Sequence, residues 1–321
     1  MRIKKYWARP GGNRNVVKDT LKTILICGYV LLSPINYLLV FIHSLFGKKR
    51  SFKYEVSLCL IFKNEAKVLR EWIEYHRLVG VDHFYLYNNF SEDDYMSVLA
   101  PYIEEGIVTL TEWPYKYAQV KAYQDCYQKA KHETHWLGYI DSDEFVNLLK
   151  DNDIKSYLNR YKAYPAVYLY WRMFGTSGML NEPKEYLMTE QFTACWPWLC
   201  NVGKTFINNQ YGKFKIVLHQ HIAYMGLFPL FPIDDRRQFR PLLSNPLADL
   251  FNYSPRAVLN HYWSRSYEFY KYKDFERGDA DSVDNIETKK TAGRFELHEL
   301  NNSTRDYSIQ RWLVLLKKRL G

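Results

Sequence analysis

The chain has 321 residues, 47% of them apolar and 25% charged, which are the proportions of a globular protein with an ample core. Its formal net charge of +9, much of it near the two ends, predicts anionic partners such as nucleotide diphosphates or lipid headgroups. Basic residues do not interleave with aromatic ones on a recognisable nucleic-acid-binding module, so we do not expect DNA or RNA as a partner.

The five cysteines, at positions 27, 59, 126, 195 and 200, show neither a CxxC pair nor the spacing of a zinc site. Cys27 and Cys59 lie in apolar runs, where a buried free thiol is the common state. We therefore expect no disulfide framework and a reducing compartment.

The amino-terminal region predicts a membrane-associated segment. Residues 23–46 contain no Asp, Glu, Lys or Arg and lie between a basic stretch, residues 1–22, and a basic triplet at 48–50. The run exceeds the roughly 20 residues that cross a bilayer, and no small-residue cleavage site of a signal peptide follows it. Both a single span and a hairpin broken at Ser33-Pro34 fit, since proline disrupts a helix interior. A buried core helix is the alternative.

Residues 55–89 predict a strand–helix–strand unit. An apolar run at 55–62 is followed by Lys63-Asn64-Glu65, by helical spacing over 66–79, and by a second apolar run at 83–87 that ends in two asparagines. Polar side chains at the ends of neighbouring strands suit the base and ribose of a nucleotide. Ordinary turn chemistry is the alternative, because Asn and Asp favour turns.

The next segment predicts the centre of the site. After a strand at 107–113 and a helix at 117–131, the apolar run 136–140 predicts a strand buried on both faces, and Asp141-Ser142-Asp143-Glu144 follows where it ends. The two aspartates point the same way in an extended chain and can hold Mg²⁺ or Mn²⁺ against a diphosphate. A solvated acidic turn is the alternative. Neither GxGxxG nor GxxxxGK[ST] occurs, so we expect neither a Rossmann dinucleotide site nor a P-loop.

Several blocks in a fixed order give the chain a family resemblance. The blocks are Lys63-Asn64-Glu65, Glu71-Trp72-Ile73-Glu74-Tyr75-His76, Gly80-Val81-Asp82-His83-Phe84, Tyr87-Asn88-Asn89, Ile140-Asp141-Ser142-Asp143-Glu144-Phe145, Trp171-Arg172-Met173-Phe174-Gly175-Thr176-Ser177-Gly178 and Asn260-His261-Tyr262-Trp263-Ser264-Arg265-Ser266. Together they resemble glycosyltransferase family 92 and its bacterial relatives in the family 2-like group. The resemblance implies an α/β protein with a GT-A type nucleotide-sugar-binding fold, in which helices flank a mixed central sheet.

Composition and the resemblance together divide the chain, and the first 50 residues and the tail after Arg294 lie outside the resemblance. Residues 1–50 would hold the basic terminus and the membrane segment, and residues 51–294 the GT-A domain. Within that domain, residues 51–150 would bind the donor and residues 151–294 the acceptor. The ending, residues 295–321, is assigned to a basic amphipathic helix on the pattern of residues 312–319, and this helix either lies on a membrane or packs on the domain.

The resemblance assigns residues to the metal, the nucleoside and the phosphates. Asp141 and the catalytic Asp143 would bind Mn²⁺ or Mg²⁺, with His261, ranked ahead of His219, as a further ligand. The side chains that would line the nucleoside pocket are Lys63, Asn64, Glu65 and Asn88. Those that would meet the donor phosphates are Lys204, Lys273 and Arg277, with Arg265 upstream.

An inverting transfer needs a base that deprotonates the acceptor hydroxyl. Glu190 is the first candidate for this base, and Asp279 and Asp281 are the alternatives. His219 and His221 alternate, so in a strand they share a face, where such a pair is more often structural than metal-binding.

The acceptor half predicts a strand at 167–171 that leads into the loop Phe174–Gly178, whose two glycines would allow close approach to a ligand. Trp196 and Trp198 either stack on an acceptor sugar or belong to the core. Residues 229–249 combine proline, arginine and phenylalanine and form either a membrane-facing flap or an ordinary loop.

We therefore expect a membrane-associated, metal-dependent glycosyltransferase that moves a hexose, galactose being one candidate, from a UDP-sugar to a glycan or lipid-linked acceptor. A catalytically inactive sugar-nucleotide-binding or scaffold protein of the same fold is the alternative. The sequon at Asn89 lies beside the predicted site, where a glycan would obstruct the donor. This favours the cytoplasmic face of the membrane over a Golgi-type lumenal orientation.

Overall fold

The computed structural model describes residues 16–241, 250, 253–273 and 294–321. The helices are α1 (Val16–Phe46), α2 (Ala66–Leu78), α3 (Tyr95–Glu104), α4 (Gln119–Ala130), α5 (Ile154–Asn159), α6 (Met188–Gln191), α7 (Tyr267–Lys271), α8 (Arg294–Leu300) and α9 (Leu313–Leu320). The strands are β1 (Tyr54–Phe62), β2 (His83–Asn88), β3 (Val108–Glu112), β4 (Thr134–Tyr139), β5 (Glu144–Leu148), β6 (Ala166–Met173), β7 (Ala194–Cys195), β8 (Gly203–Asn208), β9 (Phe214–Lys215), β10 (Ile222–Met225), β11 (Phe228–Leu230), β12 (Ala257–His261) and β13 (Thr304–Arg305).

A mixed sheet of eight strands forms the centre, in the order β3-β2-β1-β4-β8-β6-β12-β5. The first four are mutually parallel, and β8 runs antiparallel to both β4 and β6. β12 is parallel to β6 and antiparallel to β5. The mixed α/β class expected from the sequence is therefore confirmed. The carboxyl ends of β1, β2 and β4 lie at one edge, which is where α/β sheets bind ligands.

The central strands are apolar throughout because both faces of the sheet are covered. In β1, Leu58 and Leu60 belong to a core that includes Trp72 of α2. Cys59 and Ile61 point to the opposite face and pack in a second core that includes Tyr123 of α4. Successive side chains of a strand alternate between faces, so burial of both faces requires an unbroken apolar run.

The element predictions for residues 55–140 are confirmed, with each boundary within two residues of the observed one. The strand β5 directly after the central acidic turn was not expected. The prediction that His219 and His221 share the face of a strand is wrong, because both lie in the loop between β9 and β10. All five cysteines are free; the expected buried thiol is observed for Cys59, but Cys27 is exposed.

Helix α1 is continuous through Pro34, so the predicted hairpin break at Ser33-Pro34 is wrong. Within the described residues, no helix has both the length and the apolar character needed to cross a bilayer. The second half of α1 docks on the domain. Val40 is buried, the ring of His43 stacks on Tyr211 at 3.7 Å between centroids, and the Tyr37 hydroxyl donates to the carbonyl of Arg237 at 2.8 Å.

The carboxyl-terminal residues are integrated into the domain. The final helix α9 confirms the helix predicted at 312–319, although it does not extend over the whole of 295–321, and β13 pairs with β7. Leu316 is buried, and Nη1 of Arg319 lies 3.5 Å from a carboxylate oxygen of Glu74 on α2. Of the two alternatives for this ending, packing on the domain is the one observed.

Two other expectations for the acceptor half differ from the structure. A Cβ on Gly175 would collide with the side chains of Asn302 and Glu299, so this glycine allows a close approach of the carboxyl-terminal segment and not of a ligand. Trp196 is buried, and its indole N–H donates to the carbonyl of His298 at 3.2 Å, which makes it a core residue.

Candidate functional site

The candidate site lies at the carboxyl edge of the parallel strands. Phe62 of β1 lies beside Asn88 of β2, and Cys59 of β1 lies beside Tyr139 of β4. The segments that leave these strands therefore meet, and Asp141 is the second residue after β4. This placement agrees with the predicted position of the acidic motif.

The two aspartates of the motif do not share one face of an extended strand. The backbone N–H of Glu144 donates to the carbonyl of Asp141 at 3.0 Å, which closes a turn over the intervening residues. As a result, Asp141 and Asp143 contact different elements. The expectation that they point the same way is wrong because the chain turns directly after Ile140.

Asp141 is held by neighbours on the sheet and on α4. Its Oδ2 accepts a hydrogen bond from Nζ of Lys204 at 2.9 Å. Its Oδ1 accepts from Tyr123 at 3.1 Å and from Gln119 at 3.3 Å. Lys204 reaches this position because β8 is the antiparallel neighbour of β4. Both carboxylate oxygens of Asp141 are therefore occupied.

Lys204, which is buried, and Asp141, whose side chain is 32% exposed, form an ion pair. Burial alone raises the pKa of Asp141, but the Lys204 ammonium outweighs burial and holds this pKa below its usual value. Burial alone lowers the pKa of Lys204, and Asp141 and Glu144 reverse that effect and raise it. Because Lys204 is only 1% exposed, its charge depends on these carboxyl groups.

Asp143 contacts groups from the carboxyl-terminal half of the chain. Its Oδ2 lies 2.5 Å from Nζ of Lys273, which follows α7, and its Oδ1 lies 3.6 Å from Nε2 of His261 at the end of β12. Burial raises the pKa of Asp143, but Lys273 and then His261 lower it well below its usual value. Asp143 is thus an ionised, buried carboxylate.

Glu144 completes the turn as a neutral acid. Its Oε2 accepts from the N–H of Asp141 at 2.8 Å, and its Oε1 has no hydrogen-bond partner among the described residues. Burial raises its pKa well above the usual value, despite Lys204 at 3.8 Å. The indole N–H of Trp72 donates to the carbonyls of Asp141 and Glu144 at 3.1 and 3.0 Å, which fixes the backbone of the turn.

The positions of Asp143 and His261 fit a divalent cation. Their Oδ1 and Nε2 atoms are 3.6 Å apart, too far for a good hydrogen bond but suitable for two ligands about 2.1 Å from one ion. Asp141 accepts three hydrogen bonds from Lys204, Tyr123 and Gln119, and its side chain is 32% exposed, so its role as a further ligand stays a prediction. In the part of the chain that the structure describes, no three His, Cys, Asp or Glu side chains form a metal cluster. An ion held here would take further oxygen ligands from substrate or water.

His219 and His221 are two further imidazoles near the site, and the ring of His221 contacts that of Tyr139 at 4.5 Å. The ring of Trp171 is 4.5 Å from that of His261 and 5.3 Å from that of His219. Burial, followed by the charge of Lys204, lowers the pKa of both His219 and His221 to about 3. Both are therefore uncharged at neutral pH.

A cavity of about 420 Å³ opens near the ends of β1 and β12. Its lining includes Asn64, Glu65, Lys67, Glu182, Phe269 and Tyr272. Nη1 of the buried Arg265 lies 2.9 Å from Glu65, and Nδ2 of Asn64 donates to the Tyr272 hydroxyl at 3.0 Å. These contacts tie the segment after β12 to the segment after β1. The cavity combines carboxylates, which can accept from sugar hydroxyls, with two aromatic rings.

The structure brings together some of the predicted nucleoside residues. Asn64 and Glu65 line the cavity. Asn88 is buried, and its amide donates to Glu112 at 2.7 Å. The side chain of Lys63 is half-buried and makes no hydrogen bond or ion pair to another described residue.

Glu190 lies on the short helix α6, and its ion pair is with the carboxyl-terminal helix α9 and not with the aspartate turn. Its Oε1 is 2.5 Å from Nζ of Lys317, and it lines a second cavity of about 400 Å³ that shares Lys67 with the first. The carboxylate of Glu71 accepts from the N–H of Met188 and anchors α6. The alternatives Asp279 and Asp281, the predicted phosphate ligand Arg277, and residues 242–249 of the expected flap lie outside the described residues.

Several site residues had no role in the sequence interpretation. Gln119 and Tyr123 contact Asp141 and are four residues apart on α4, a spacing that identifies one helical face. Tyr272 and Glu182 line the cavity but carry no signal in the sequence, because only the fold brings them to the end of β1.

Sequence comparison identifies relatives of this chain. Residues 53–221 match glycosyltransferase family 92. A glycosyltransferase family 92 protein of Ricinus communis is 30% identical over 145 residues, which cover 41% of this chain and 25% of the relative. Another, of Arabidopsis thaliana, is 25% identical over 242 residues, covering 72% of this chain and 39% of the relative. A galactan beta-1,4-galactosyltransferase of Arabidopsis thaliana is 30% identical over 129 residues, covering 36% of this chain and 26% of that protein. The chain therefore spans well under half the length of these relatives.

Solved structures overlap with part of the chain. S. aureus TarS 1-349 in complex with UDP has a TM-score of 0.31 and 12% identity, covering 40% of this chain and 38% of that chain. Glucosyl-3-phosphoglycerate synthase from Mycobacterium tuberculosis, in complex with Mn²⁺, UDP and glucosyl-3-phosphoglycerate, has a TM-score of 0.28 and 16% identity, covering 37% of this chain and 44% of that chain. The assignment rests on the sequence match, which covers more than half of the chain: the protein belongs to glycosyltransferase family 92.

Proposed function

We propose that this protein transfers a hexose from a UDP-sugar to a glycan or lipid-linked acceptor, with inversion at the anomeric carbon. The observation that carries the proposal is the group formed by Asp143, His261 and Lys273 at the carboxyl edge of the parallel strands. Membership of family 92 supports glycosyl transfer, and the galactan relative supports galactose as the first sugar to test.

The donor nucleotide would bind across the ends of β1 and β2, in a site of the GT-A type. Asn64 and Glu65 line the cavity there, and Lys63 and Asn88 follow the same two strands. Among the described residues, the close ionic partner of Lys273 is the buried carboxylate of Asp143, and in the complex Lys273 would contact a phosphate oxygen. Lys204 would act indirectly, since it fixes Asp141 and hence the turn that carries Asp143. Arg277 remains a proposed phosphate ligand.

Asp143 and His261 would hold a Mn²⁺ or Mg²⁺ ion, which supplies positive charge to the diphosphate leaving group. The buried, ionised state of Asp143 suits this role, because hard cations prefer carboxylate oxygens. Lys273 adds a second positive charge on the other oxygen of the same carboxylate. Positive groups that are already in place stabilise charge that develops as the glycosidic bond breaks.

Glu190 is the base that we propose for the acceptor hydroxyl. It lines a cavity adjacent to the donor cavity, and Lys67 borders both. Its helix is tied to the aspartate turn through α2, because Glu71 binds the backbone of Thr189 and the next residue, Trp72, binds the turn. An acceptor in the second cavity would thus meet Glu190 at a fixed distance from the donor.

We further propose that the enzyme works at a membrane, on the cytoplasmic face, with a Golgi-type lumenal orientation as the alternative. Lipid-linked acceptors reside at bilayers, and α1 exposes large apolar side chains. One observation favours the alternative of an inactive sugar-nucleotide-binding protein. Both aspartates are paired with lysines, so their charges are offset without a metal ion.

The test is a panel of nucleotide sugars assayed for transfer and hydrolysis, with and without Mn²⁺. Asp143→Asn should lower the rate about 100- to 1000-fold and abolish stimulation by Mn²⁺, the scale seen when one group that stabilises a transition state is removed. Asp94→Asn, at the start of α3, is the matched control and should keep full activity. Full metal-independent turnover by Asp143→Asn contradicts the metal assignment. Donor binding without turnover by the wild type supports the inactive alternative.

Glu190→Gln in the same assay separates the base from the metal site. Transfer should fall about 100-fold or more, which is the usual contribution of general base catalysis. The KM for the donor and its dependence on Mn²⁺ should remain, because Glu190 does not contact Asp143. An unchanged transfer rate would exclude Glu190 as the base.

A further inference from the structure

The face of α1 that points away from the domain is apolar. Val40 faces the domain and is 5% exposed, whereas Leu38, Phe41 and Leu45 are 56%, 58% and 59% exposed. Their spacing of three and four residues places these three side chains on one stripe of the helix. A contiguous stripe of large apolar side chains in water is unfavourable and marks a contact surface.

A second apolar feature is the tip of the β10–β11 hairpin. Met225 pairs with Phe228 across the hairpin, and Gly226 and Leu227 form the two-residue turn. Leu227 is 94% exposed and Phe228 is 57% exposed. Turns in contact with water are usually built from polar residues, so this composition is unusual.

The β10–β11 hairpin lies beside α1. The backbone N–H of Phe231 donates to Oδ1 of Asn36 on α1 at 3.4 Å. Leu227 precedes Phe231 by four residues, so it lies within about 13 Å of that contact. The exposed Leu38 is half a turn of helix from Asn36. The two apolar features are therefore close enough to contact one surface.

Charge identifies the kind of surface that fits. The first 50 residues contain ten Lys and Arg and a single Asp, so the whole net charge of +9 resides there and the remaining chain is neutral. Lys48 and Lys49 are exposed directly after the apolar stripe. Apolar side chains next to a concentrated positive charge are the features of a segment that binds an anionic lipid surface.

We propose that the stripe of α1 and the β10–β11 tip bind together to the surface of an anionic bilayer, with α1 parallel to the membrane plane. The docked face of α1 sets this orientation. Tyr37 bonds to the carbonyl of Arg237 and His43 stacks on Tyr211, so only the opposite face of the helix is available to lipid. This inference rests on the membrane association in the proposed function, and it adds the lipid-contacting residues and the mode of binding.

The test is co-flotation of the full-length protein with phosphatidylcholine vesicles, with and without phosphatidylglycerol. We expect binding to the anionic vesicles, weakened by salt because surface charges are screened. Leu227→Ser/Phe228→Ser and, separately, Phe41→Gln/Leu45→Gln should each lower the partition coefficient about tenfold or more, since each removes two apolar side chains from lipid. Leu300→Ser, at a residue that is 78% exposed on α8, is the control and should bind like the wild type.

Three results would overturn the proposal: equal binding to neutral and anionic vesicles, wild-type binding by the hairpin variant, or a dimer in solution that Phe41→Gln/Leu45→Gln dissociates. The last result, read by light scattering, would assign the stripe to a second copy of the chain. The same variants should hydrolyse soluble nucleotide sugar at the wild-type rate. Loss of lipid binding can therefore be distinguished from failure of the proposed transferase activity.

Discussion

Asp141 and Asp143 are separated by one residue, yet their surroundings differ. Asp141 binds Lys204, a sheet residue that is 1% exposed, together with two side chains of α4. Asp143 binds Lys273, whose side chain is 17% exposed and which lies beyond α7, and it faces the ring of His261. The two lysines therefore differ in burial, while the order is reversed for the aspartates, since the side chain of Asp141 is 32% exposed and that of Asp143 is 8% exposed.

The difference in burial between the two lysines indicates that the two aspartates have different roles. The counter-charge of Asp141 is fully buried, so removal of Asp141 leaves the uncompensated charge of Lys204 inside the protein. The counter-charge of Asp143 reaches solvent, so it can move to a phosphate without a comparable cost. We infer that Asp141 chiefly stabilises the turn and that Asp143 chiefly serves the ligand.

The largest expected effect is on stability at Asp141. Asp141→Asn should lower the free energy of unfolding by about 3 kcal/mol, the lower end of the range for breaking a buried ion pair. The loss is limited because Glu144, 3.8 Å from Lys204, can ionise in its place. Urea denaturation at pH 7 measures the change.

The matched comparison is Asp143→Asn, which should lose less than half as much stability. The double variant Asp141→Asn/Lys204→Met should recover most of the loss, because no buried charge remains unpaired. Equal destabilisation by the two single Asn variants would contradict the division of roles between the aspartates.

A smaller effect on the Asp141 side is expected from pH. Burial and Lys204 lower the pKa of His221 to about 3, while the unfolded chain titrates near 6.5. Between about pH 6.5 and pH 3 the imidazole is therefore protonated in the unfolded state and neutral in the folded state. Because the unfolded state binds more protons, the free energy of unfolding falls as the pH drops below about 6.5. At pH 5 this histidine should account for about 2 kcal/mol of lost stability.

The measurement is urea denaturation of the wild type and of His221→Gln at pH 7 and pH 5. The variant should lose about 2 kcal/mol less than the wild type over this interval, whatever its stability at pH 7. Identical losses in the two proteins would indicate that the imidazole is protonated in the folded state.

The sequence predicts the donor half well for physical reasons. Strands buried on both faces, such as β1, require unbroken apolar runs, and α2 has the spacing of a helix with one buried face. Polar residues then mark the strand ends, so the edge that holds Asn64 and Asp141 follows directly. The positions of His261 and Lys273 near Asp143 come from the family resemblance, since nothing local to those residues indicates it.

The contacts that depend on non-local strand order could not be predicted. Lys204 meets Asp141 because β8 inserts between β4 and β6, an arrangement that hydrophobic periodicity does not reveal. The turn that separates the aspartates depends on the unexpected strand β5 and on the indole N–H of Trp72. The sequence predicts an extended motif at Asp141–Asp143, but contacts with groups that are distant in the chain hold it in a turn.

The smallest expected effect on stability, at Lys273, also tests the comparison most directly. Lys273→Met leaves the buried carboxylate of Asp143 with His261 as its neighbour, so it should lower the free energy of unfolding by about 1.5 kcal/mol, the lower end for losing a hydrogen bond to a charged group. It should nevertheless raise the KM for the nucleotide sugar about tenfold, the effect of losing one hydrogen bond to a charged group. Lys271→Met, two residues earlier on α7, is the matched control and should change neither quantity. A variant at Lys273 that lost stability as Asp141→Asn does, with an unchanged KM, would assign Lys273 to the framework and leave Asp143 without a mobile counter-charge.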